Sequence, residues 1–592
     1  LRGKGDKSFE LPHLLESAKR PSIRQESLTV QIASNPAWYA VLAMPSLMET
    51  HDESTEATFS RLYANSLARH IVTGDKRIAR VFEQWKGTKT LTSPLEKNAE
   101  LMRTLIAETP WVLDAVNEKE SRARIALLFD ATRAANETAS AMAHLVSQRL
   151  PDGSWPWFPG GTSCDSVTLS ILSGCGRLRK MGVDIDLQMA TGSLEWLDGK
   201  LIAWHREAKQ QLSQQTNKQL KPFTISSTVA LALYARTFFF VDKPLQGEAL
   251  EAFGFWIEIA NSSWPNLLSR MSQGHIALAA KRFEKLELAA EVVKSLRERS
   301  VQEEEVGMWW RDPHPAWGWS DAPIETQSLM VEVFDEIAGD AAAVESLKQW
   351  LLSQKRTSHW RGSRATADAI YALLRHGSDL LASTAIVELA IGGVPIVPDG
   401  VEAGTGFYEI RKTRSEIKPT DGNVQISKKD DSAAWGGAHW QYFDDLSNVS
   451  ISTQKELTIE KRLFTKRNTK AGPILEAVTG PLTVGDEVVV RLIVTSDRDY
   501  EFLELSDHRA CVCEPVDVLS GWRQGDGVAW YAATRDTKTD FFFERLPRGT
   551  HLFEYSVRVS HRGTASSGFA SIQSRYAPEF SAHSESIAVE VE

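Results

Sequence analysis

Hydrophobic and polar positions follow different periods on the two sides of residue 385. Before it, apolar residues recur every three or four positions, which predicts amphipathic helices. One such face ends at the Pro-Asp-Gly turn 151–153 and comprises Ala135, Ala139, Met142, Val146 and Leu150. Further helices are predicted over 228–240, 276–297, 325–337 and 366–376. Because no fixed repeat relates them, a closed α/α toroid of helical hairpins is favoured over a regular solenoid.

After residue 385 the period becomes two. Val488, Val490, Leu492 and Val494 occupy alternate positions, and the same alternation runs through 553–560 and 587–592. Such alternation is typical of antiparallel strands with one buried face. The segment therefore predicts an antiparallel β-sandwich at the end of the chain.

A strand-like segment also precedes the helices. It contains Leu28, Val30 and Ile32, and more strand signal runs over 386–443. One β-domain interrupted by an inserted helical domain explains both segments. The predicted domains are a split β-domain (1–33 and 384–462), a helical domain (34–383) and a sandwich (463–592).

Composition narrows the functional classes only slightly. The length of 592 residues predicts about three to five domains. The composition, 42% hydrophobic and 24% charged, is typical of globular proteins. The net charge of −10 disfavours nucleic acid as a partner, because phosphate binding needs a basic face. No apolar run is long enough to predict a transmembrane segment in this chain.

Cysteine usage predicts neither a disulfide framework nor a metal site. The chain contains Cys164, Cys175, Cys511 and Cys513. Four cysteines are too few to hold together a chain of this length, and the Cys511–Cys513 pair offers too few metal ligands. We expect buried free thiols, no metal and no cofactor.

The segment 53–65, which reads E-S-T-E-A-T-F-S-R-L-Y-A-N, carries the most informative chemistry. It resembles the thioester segment of bacterial alpha-2-macroglobulins, roughly E-C-x-E-Q-T-F-S-R-x-Y-A-N. In that family the Cys thiol and the Gln side chain join as an internal thioester. Glu56 matches the family pattern, whereas Ser54 stands at the Cys position and Ala57 at the Gln position.

Further matches to the same family occur in order along the chain. They are W-P-W-F-P-G-G at 155–161, A-P-I-E-T-Q at 322–327, A-T-A-D-A at 365–369 with Tyr371, Trp435 and Gly436, W-Q-Y-F at 440–443, F-F-F at 541–543, L-P-R-G-T at 546–550 and Y-A-P-E-F at 576–580. The resemblance implies a split CUB-like domain, a thioester-type α/α toroid inserted in it, and a C-terminal macroglobulin-like sandwich. The family's bait region and amino-terminal domains are not in this chain.

The two substitutions remove the reactive bond. A serine hydroxyl could at best form an ester and needs a base to become a nucleophile, and alanine offers no carbonyl. The family's shielding tyrosines are replaced by Ser46, Thr50 and Asp52, and a frequent methionine before Y-A-P-E-F is replaced by Arg575. Loss of the shield together with the bond favours a natural member without a thioester over an engineered knockout.

Other candidate chemistry has a simpler explanation. Ser54 beside His51 and Glu53 lacks the G-x-S-x-G context of a hydrolase, and His51, Asp52 and His70 are too few and poorly spaced for a metal. Trp309, Trp310, Trp317 and Trp319 form a tryptophan-rich segment that could stack on sugars. Packing where the hairpin loops meet is the favoured explanation.

The function that the resemblance implies belongs to the full-length protein, and it is not an enzyme activity. It implies an endopeptidase inhibitor that traps target proteases by conformational change, non-covalently here, in the periplasm, the cell envelope or the extracellular space. The first alternative is an envelope scaffold or binding protein that contacts other envelope proteins. The less favoured alternative is a carbohydrate-active enzyme built on the α/α toroid.

Overall fold

The fold combines helices with antiparallel sheets, as the sequence predicts. The computed structural model describes residues 4–35, 54–74, 131–214, 224–267, 269–303, 306–310, 322–354, 363–375, 385–430, 434–449, 451–452, 456–470, 472–525, 527–574 and 580–592, and the single residues 38, 41, 43, 44, 47, 80, 81, 84, 360 and 383. Its helices are α1 (Pro12–Leu15), α2 (Thr55–Gly74), α3 (Ala131–Gln148), α4 (Asp165–Lys180), α5 (Gln188–Thr191), α6 (Leu194–Gln214), α7 (Ser227–Thr237), α8 (Gly247–Ser263), α9 (Arg270–Arg282), α10 (Leu286–Glu298), α11 (Pro323–Val333), α12 (Ala341–Gln354) and α13 (Ser363–Leu374).

Six of these helices close a ring. Helix α2 contacts α4, and the contacts continue through α7, α9, α11 and α13 back to α2. The other long helices pack outside this inner ring, including α3 against α2, α10 against α9 and α12 against α11. One continuous apolar core fills the space between the inner and outer helices. The α/α toroid itself stays a prediction.

Close approach of α2 and α4 depends on a glycine. A Cβ atom at Gly174 would lie 2.5 Å from the ring of Phe59. Gly174 therefore lets the helix that begins after Ser54 lie directly against α4, where a larger side chain would push it away.

Two predictions about helices are wrong. The predicted helix 276–297 is two helices, because α9 ends at Arg282 and the chain reverses at Glu284, whose φ is 61°. Among the side chains of α3 that the structure describes, from residue 136 on, Ala141, Leu145 and Gln148 are buried, whereas Ala139 and Val146 of the predicted face are exposed.

The strands before and after the helical region pair with each other. They are β1 (Gly5–Glu10), β2 (Arg24–Ala33), β5 (Glu388–Ile391), β6 (Val394–Ile396), β7 (Phe407–Thr413), β8 (Asn423–Lys428) and β9 (Trp435–Phe443), while β3 (Val301–Glu303) and β4 (Gly307–Trp309) form a separate hairpin. The orders are β1-β8-β5-β6 and β7-β2-β9. Leu28, Val30 and Ile32 are buried between them, as their alternation predicts.

The C-terminal part of the chain is a sandwich of two antiparallel sheets. Its strands are β10 (Leu457–Thr469), β11 (Gly472–Ala477), β12 (Glu487–Ser496), β13 (Tyr500–His508), β14 (Cys513–Pro515), β15 (Gly521–Gly525), β16 (Val528–Thr534), β17 (Lys538–Leu546), β18 (Gly549–Val559), β19 (Gly563–Ser566), β20 (Ala570–Ser574), β21 (Ser581–His583) and β22 (Ala588–Val591). One sheet has the order β11-β10-β12-β18-β14 and the other β15-β16-β17-β13-β20-β21, while β19 pairs with β22. Strand β10 begins at Leu457 and so crosses the predicted domain boundary at 462/463. The three-domain boundaries themselves stay a prediction.

The thiols follow the sequence-based expectation in part. Cys175 and Cys513 are buried and Cys164 is half-buried, but Cys511 is exposed, so the expectation of a buried thiol is wrong there. Burial raises the pKa of the Cys175 thiol to about 12. None of the described helices combines the length and the hydropathy of a membrane-spanning segment.

Candidate functional site

Ser54 acts as the N-cap of α2. Its Oγ accepts a hydrogen bond from the Ala57 backbone N–H at 3.2 Å, and its carbonyl accepts from the Thr58 N–H at 3.0 Å. Ser54 and Ala57 are both 1% exposed. A serine oxygen that satisfies a backbone N–H of the first turn is a standard helix start. The Ser54 hydroxyl therefore stabilises the first turn of α2.

The tryptophan loop 155–161 fixes the start of α2. The Thr55 N–H donates to the Trp157 carbonyl at 2.9 Å. Trp155 is fully buried, and its indole Nε1 donates to the Leu145 carbonyl at 2.8 Å. The loop and α2 are thus joined by a backbone hydrogen bond beside Ser54.

Removing the Ser54 hydroxyl should cost α2 its cap. Ser54→Ala is expected to lower the free energy of unfolding by about 1 kcal/mol, because one buried N–H loses its acceptor. Ser226→Ala is the comparison at an exposed cap, since Ser226 is exposed and its Oγ caps α7 by accepting from Val229 N–H at 3.2 Å. Urea unfolding should give a smaller loss for Ser226→Ala, because water can replace the acceptor there, and no loss for Ser54→Ala would refute the capping role.

Several sequence-predicted site residues lie outside the described residues. These are the lost shield positions Ser46, Thr50, Asp52 and Arg575, together with His51, Glu53, Trp317 and Trp319. Trp310 is described and 7% exposed, and its Nε1 donates to the Leu296 carbonyl at 2.8 Å. That contact agrees with the packing explanation for this tryptophan. Among the described residues, no three His, Cys, Asp or Glu side chains are placed to hold a metal ion.

Inside the ring lies a buried ionic network that the sequence analysis did not identify. Its centre is Glu332 of α11, which is fully buried. Tyr234 Oη donates to Glu332 Oε2 at 2.6 Å, and Arg282 Nη2 donates to Oε1 at 2.7 Å. Arg177 Nε and Arg375 Nη1 also lie 3.5 and 3.4 Å from the same carboxylate.

Three further carboxylates form ion pairs with these three arginines. Arg177 Nη1 is 2.5 Å from Asp368 Oδ1, and Arg375 Nε is 2.5 Å from Asp335 Oδ2. Arg282 Nε is 2.8 Å from Glu336 Oε1. Because these residues come from α4, α9, α11 and α13 and the turn after α11, the network ties most of the inner helices to one another.

Burial and charge oppose each other at Glu332. Burial by itself raises the pKa of the Glu332 carboxyl, but Arg282, Arg177 and Arg375 outweigh it and hold the pKa well below its usual range. At His275, whose ring lies 4.9 Å from that of Tyr234, burial first and then Arg177 lower the pKa to about 3, although Glu332 opposes them. The imidazole of His275 is therefore neutral and Glu332 is ionised at physiological pH.

A small cavity separates this network from the beginning of α2. Glu56, Tyr63, Arg177 and Asp368 are among its lining residues. Its volume is about 40 Å³, whereas pockets for small organic ligands measure on the order of 300–1,000 Å³. This cavity is too small for a sugar, so it offers no support for a carbohydrate-active enzyme.

A known family model matches the C-terminal sandwich. Residues 457–579 match the family model described as Bacterial Alpha-2-macroglobulin MG10 domain. Over these residues the resemblance to bacterial alpha-2-macroglobulins is confirmed. A search of curated proteins returns no match to the sequence.

Solved structures of bacterial alpha-2-macroglobulins align with the whole chain at low identity. An Escherichia coli fragment from domain MG7 to the C-terminus is 12% identical with a TM-score of 0.37, and the alignment covers 100% of this chain and 80% of the fragment. The Salmonella protein reacted with methylamine is 14% identical with a TM-score of 0.36, and trypsin-activated Escherichia coli alpha-2-macroglobulin is 11% identical with a TM-score of 0.47. In both, 100% of this chain aligns with 33% and 35% of the respective longer chain. The family match itself extends over residues 457–579 of the sandwich.

Proposed function

We propose that this chain is the C-terminal part of an alpha-2-macroglobulin-like endopeptidase inhibitor that traps target proteases without a covalent bond. The observation that carries the proposal is the start of α2, where Ser54 and Ala57 replace the thiol and the carboxamide. The Ser54 hydroxyl is buried and hydrogen-bonded to the Ala57 backbone. Because Ala57 has no side-chain carbonyl, these two side chains cannot form an internal acyl bond for transfer to a protease.

Trapping without that bond requires movement of domains around the protease. The ionic network makes the helical ring a rigid unit, because separate inner helices are held by the same carboxylates. A rigid ring that changes position relative to the sheets is the kind of rearrangement by which bound proteins are enclosed. We place the protein in the periplasm, the cell envelope or the extracellular space, where such proteases are met.

A methylamine assay tests the chemistry at α2. The purified chain is incubated with methylamine, digested and mapped by mass spectrometry, and its free thiols are counted before and after. We expect no adduct at residue 57, no modification of residue 54 and an unchanged thiol count. The Salmonella alpha-2-macroglobulin is the positive control, since it is known in a methylamine-reacted form. An adduct within 53–58 of this chain would contradict the proposal.

A further inference from the structure

A lysine and an aspartate meet inside the C-terminal sandwich, independently of the proposed function. Lys461 lies on β10 between the buried Ile459 and Leu463, and Asp507 lies on β13 of the opposite sheet. The side chains are 1% and 0% exposed, and Lys461 Nζ is 2.7 Å from Asp507 Oδ1. The contact therefore bridges the two sheets through the apolar core.

The hydrogen bonds around the pair have an unusual distribution. Lys461 Nζ donates to the carbonyls of His508 at 2.7 Å and Ser567 at 2.8 Å. Asp507 Oδ2 accepts from Tyr555 Oη at 2.6 Å, whereas Oδ1 makes no hydrogen bond despite its distance from Nζ. The Nζ–Oδ1 approach is thus off the direction that a hydrogen bond needs. A neutral amine has two N–H bonds, and the two carbonyls use both, which leaves its lone pair for the carboxyl group.

The surroundings also favour the uncharged forms. Burial lowers the pKa of the Lys461 amine, although Asp507 opposes it. Burial raises the pKa of the Asp507 carboxyl, although Lys461 and Tyr555 oppose it. Both pKa shifts favour the state in which the proton lies on the Asp507 carboxyl and not on the Lys461 amine, because a low dielectric penalises charged groups. The neutral amine and the neutral acid are the two forms that condense to an amide.

We propose that Lys461 and Asp507 form an intramolecular isopeptide bond that joins the two sheets of the sandwich. Nζ attacks Cγ of the neutral acid, the Nζ–Cγ bond forms and the Cγ–Oδ1 bond breaks. Oδ1 leaves as water, carrying the acid's proton and one proton from the amine. Oδ2 stays as the amide oxygen, and the Tyr555 hydroxyl stabilises the negative charge that develops on it during the attack.

The bond gives the sandwich a link that reducing conditions do not break. It would connect β10 and β13, which lie in different sheets and share no backbone hydrogen bonds in the described strands. Cross-linking two distant segments restricts the unfolded chain, as a disulfide does.

Mass spectrometry of the whole chain tests this inference. The intact denatured protein is expected to weigh less than its sequence by one molecule of water, and a digest is expected to contain a branched peptide that joins Lys461 to Asp507. A full sequence mass together with two unlinked peptides would overturn the proposal and leave a buried ion pair. The wild-type digest decides the question even if a variant does not fold.

Two variants separate this bond from other losses of water. Lys461→Arg keeps a long basic side chain but removes the primary amine, so it is expected to show the full mass of its own sequence, whereas a water loss that persists in this variant would come from another site and contradict the assignment. Tyr555→Phe removes the hydroxyl beside Oδ2 and is expected to leave a fraction of the chain unlinked. Complete linkage in Tyr555→Phe would refute the proposal that the Tyr555 hydroxyl stabilises the charge on Oδ2.

Discussion

Glu332→Ala is expected to lower the free energy of unfolding of the helical ring by about 3–5 kcal/mol, the range measured when one partner of a buried ion pair is removed. Glu332 is fully buried, and its carboxylate faces Arg177, Arg282 and Arg375. Without it, these guanidinium groups repel one another in a region from which water is largely excluded. Tyr234 also loses the acceptor of its hydroxyl.

The measurement is chemical denaturation followed by a probe of the helical ring. Glu298→Ala is the matched control, because Glu298 is an exposed glutamate at the end of α10. Its replacement should change stability by less than about 0.5 kcal/mol. Equal effects of the two substitutions would show that the network contributes no stability.

The same carboxylate should make stability depend on pH. The folded-state pKa of Glu332 lies below its ordinary value, so its contribution is present above the unfolded-state pKa and is lost as the pH falls below it. The stability difference between the wild type and Glu332→Gln should therefore be full near neutral pH and shrink below about pH 4.3. Unfolding curves at several pH values measure this, and a difference that grows on acidification would contradict the assignment.

Trp155→Ala is expected to cost about 3–5 kcal/mol and to loosen the start of α2. The side chain is fully buried, so its removal leaves a cavity, and the Leu145 carbonyl loses the indole N–H that lies 2.8 Å away. The loop that Trp155 anchors also supplies the Trp157 carbonyl that accepts from Thr55 N–H. Hydrogen exchange of the Thr55 amide should therefore accelerate along with the loss of global stability.

Phe158 provides the control within the same loop. It is 56% exposed, so Phe158→Ala should change stability by less than about 0.5 kcal/mol and leave exchange at Thr55 unchanged. If both aromatic residues proved equally important, burial of Trp155 could not be what fixes the start of α2.

The sequence predicts the elements better than it predicts their contacts. Alternation places Val488, Val490 and Leu492 in the core, because an antiparallel strand with one buried face needs only local parity to be recognised. The reversal at Glu284 escapes prediction, since no glycine or proline marks a left-handed residue there. The buried face of α3 is also misplaced, because small residues fit several helical registers equally well.

Local sequence patterns cannot predict the ionic network or the Lys461–Asp507 contact, for a different reason. Their partners are distant in sequence, as Arg177 and Asp368 are, and only the closure of the ring brings them together. A charged residue within an apolar run, such as Glu332 between Leu329–Val331 and Val333 in α11, is the available signal. It identifies a residue that needs a buried partner, but it does not identify the partner.

Protease capture by the full-length protein tests the central claim most directly. After incubation with an active protease, the bound protease should still cleave a small peptide substrate while losing activity on a large protein. Boiling in SDS should release the protease at its free size. An SDS-resistant conjugate that maps to this chain, or undiminished cleavage of the large substrate, would contradict non-covalent trapping.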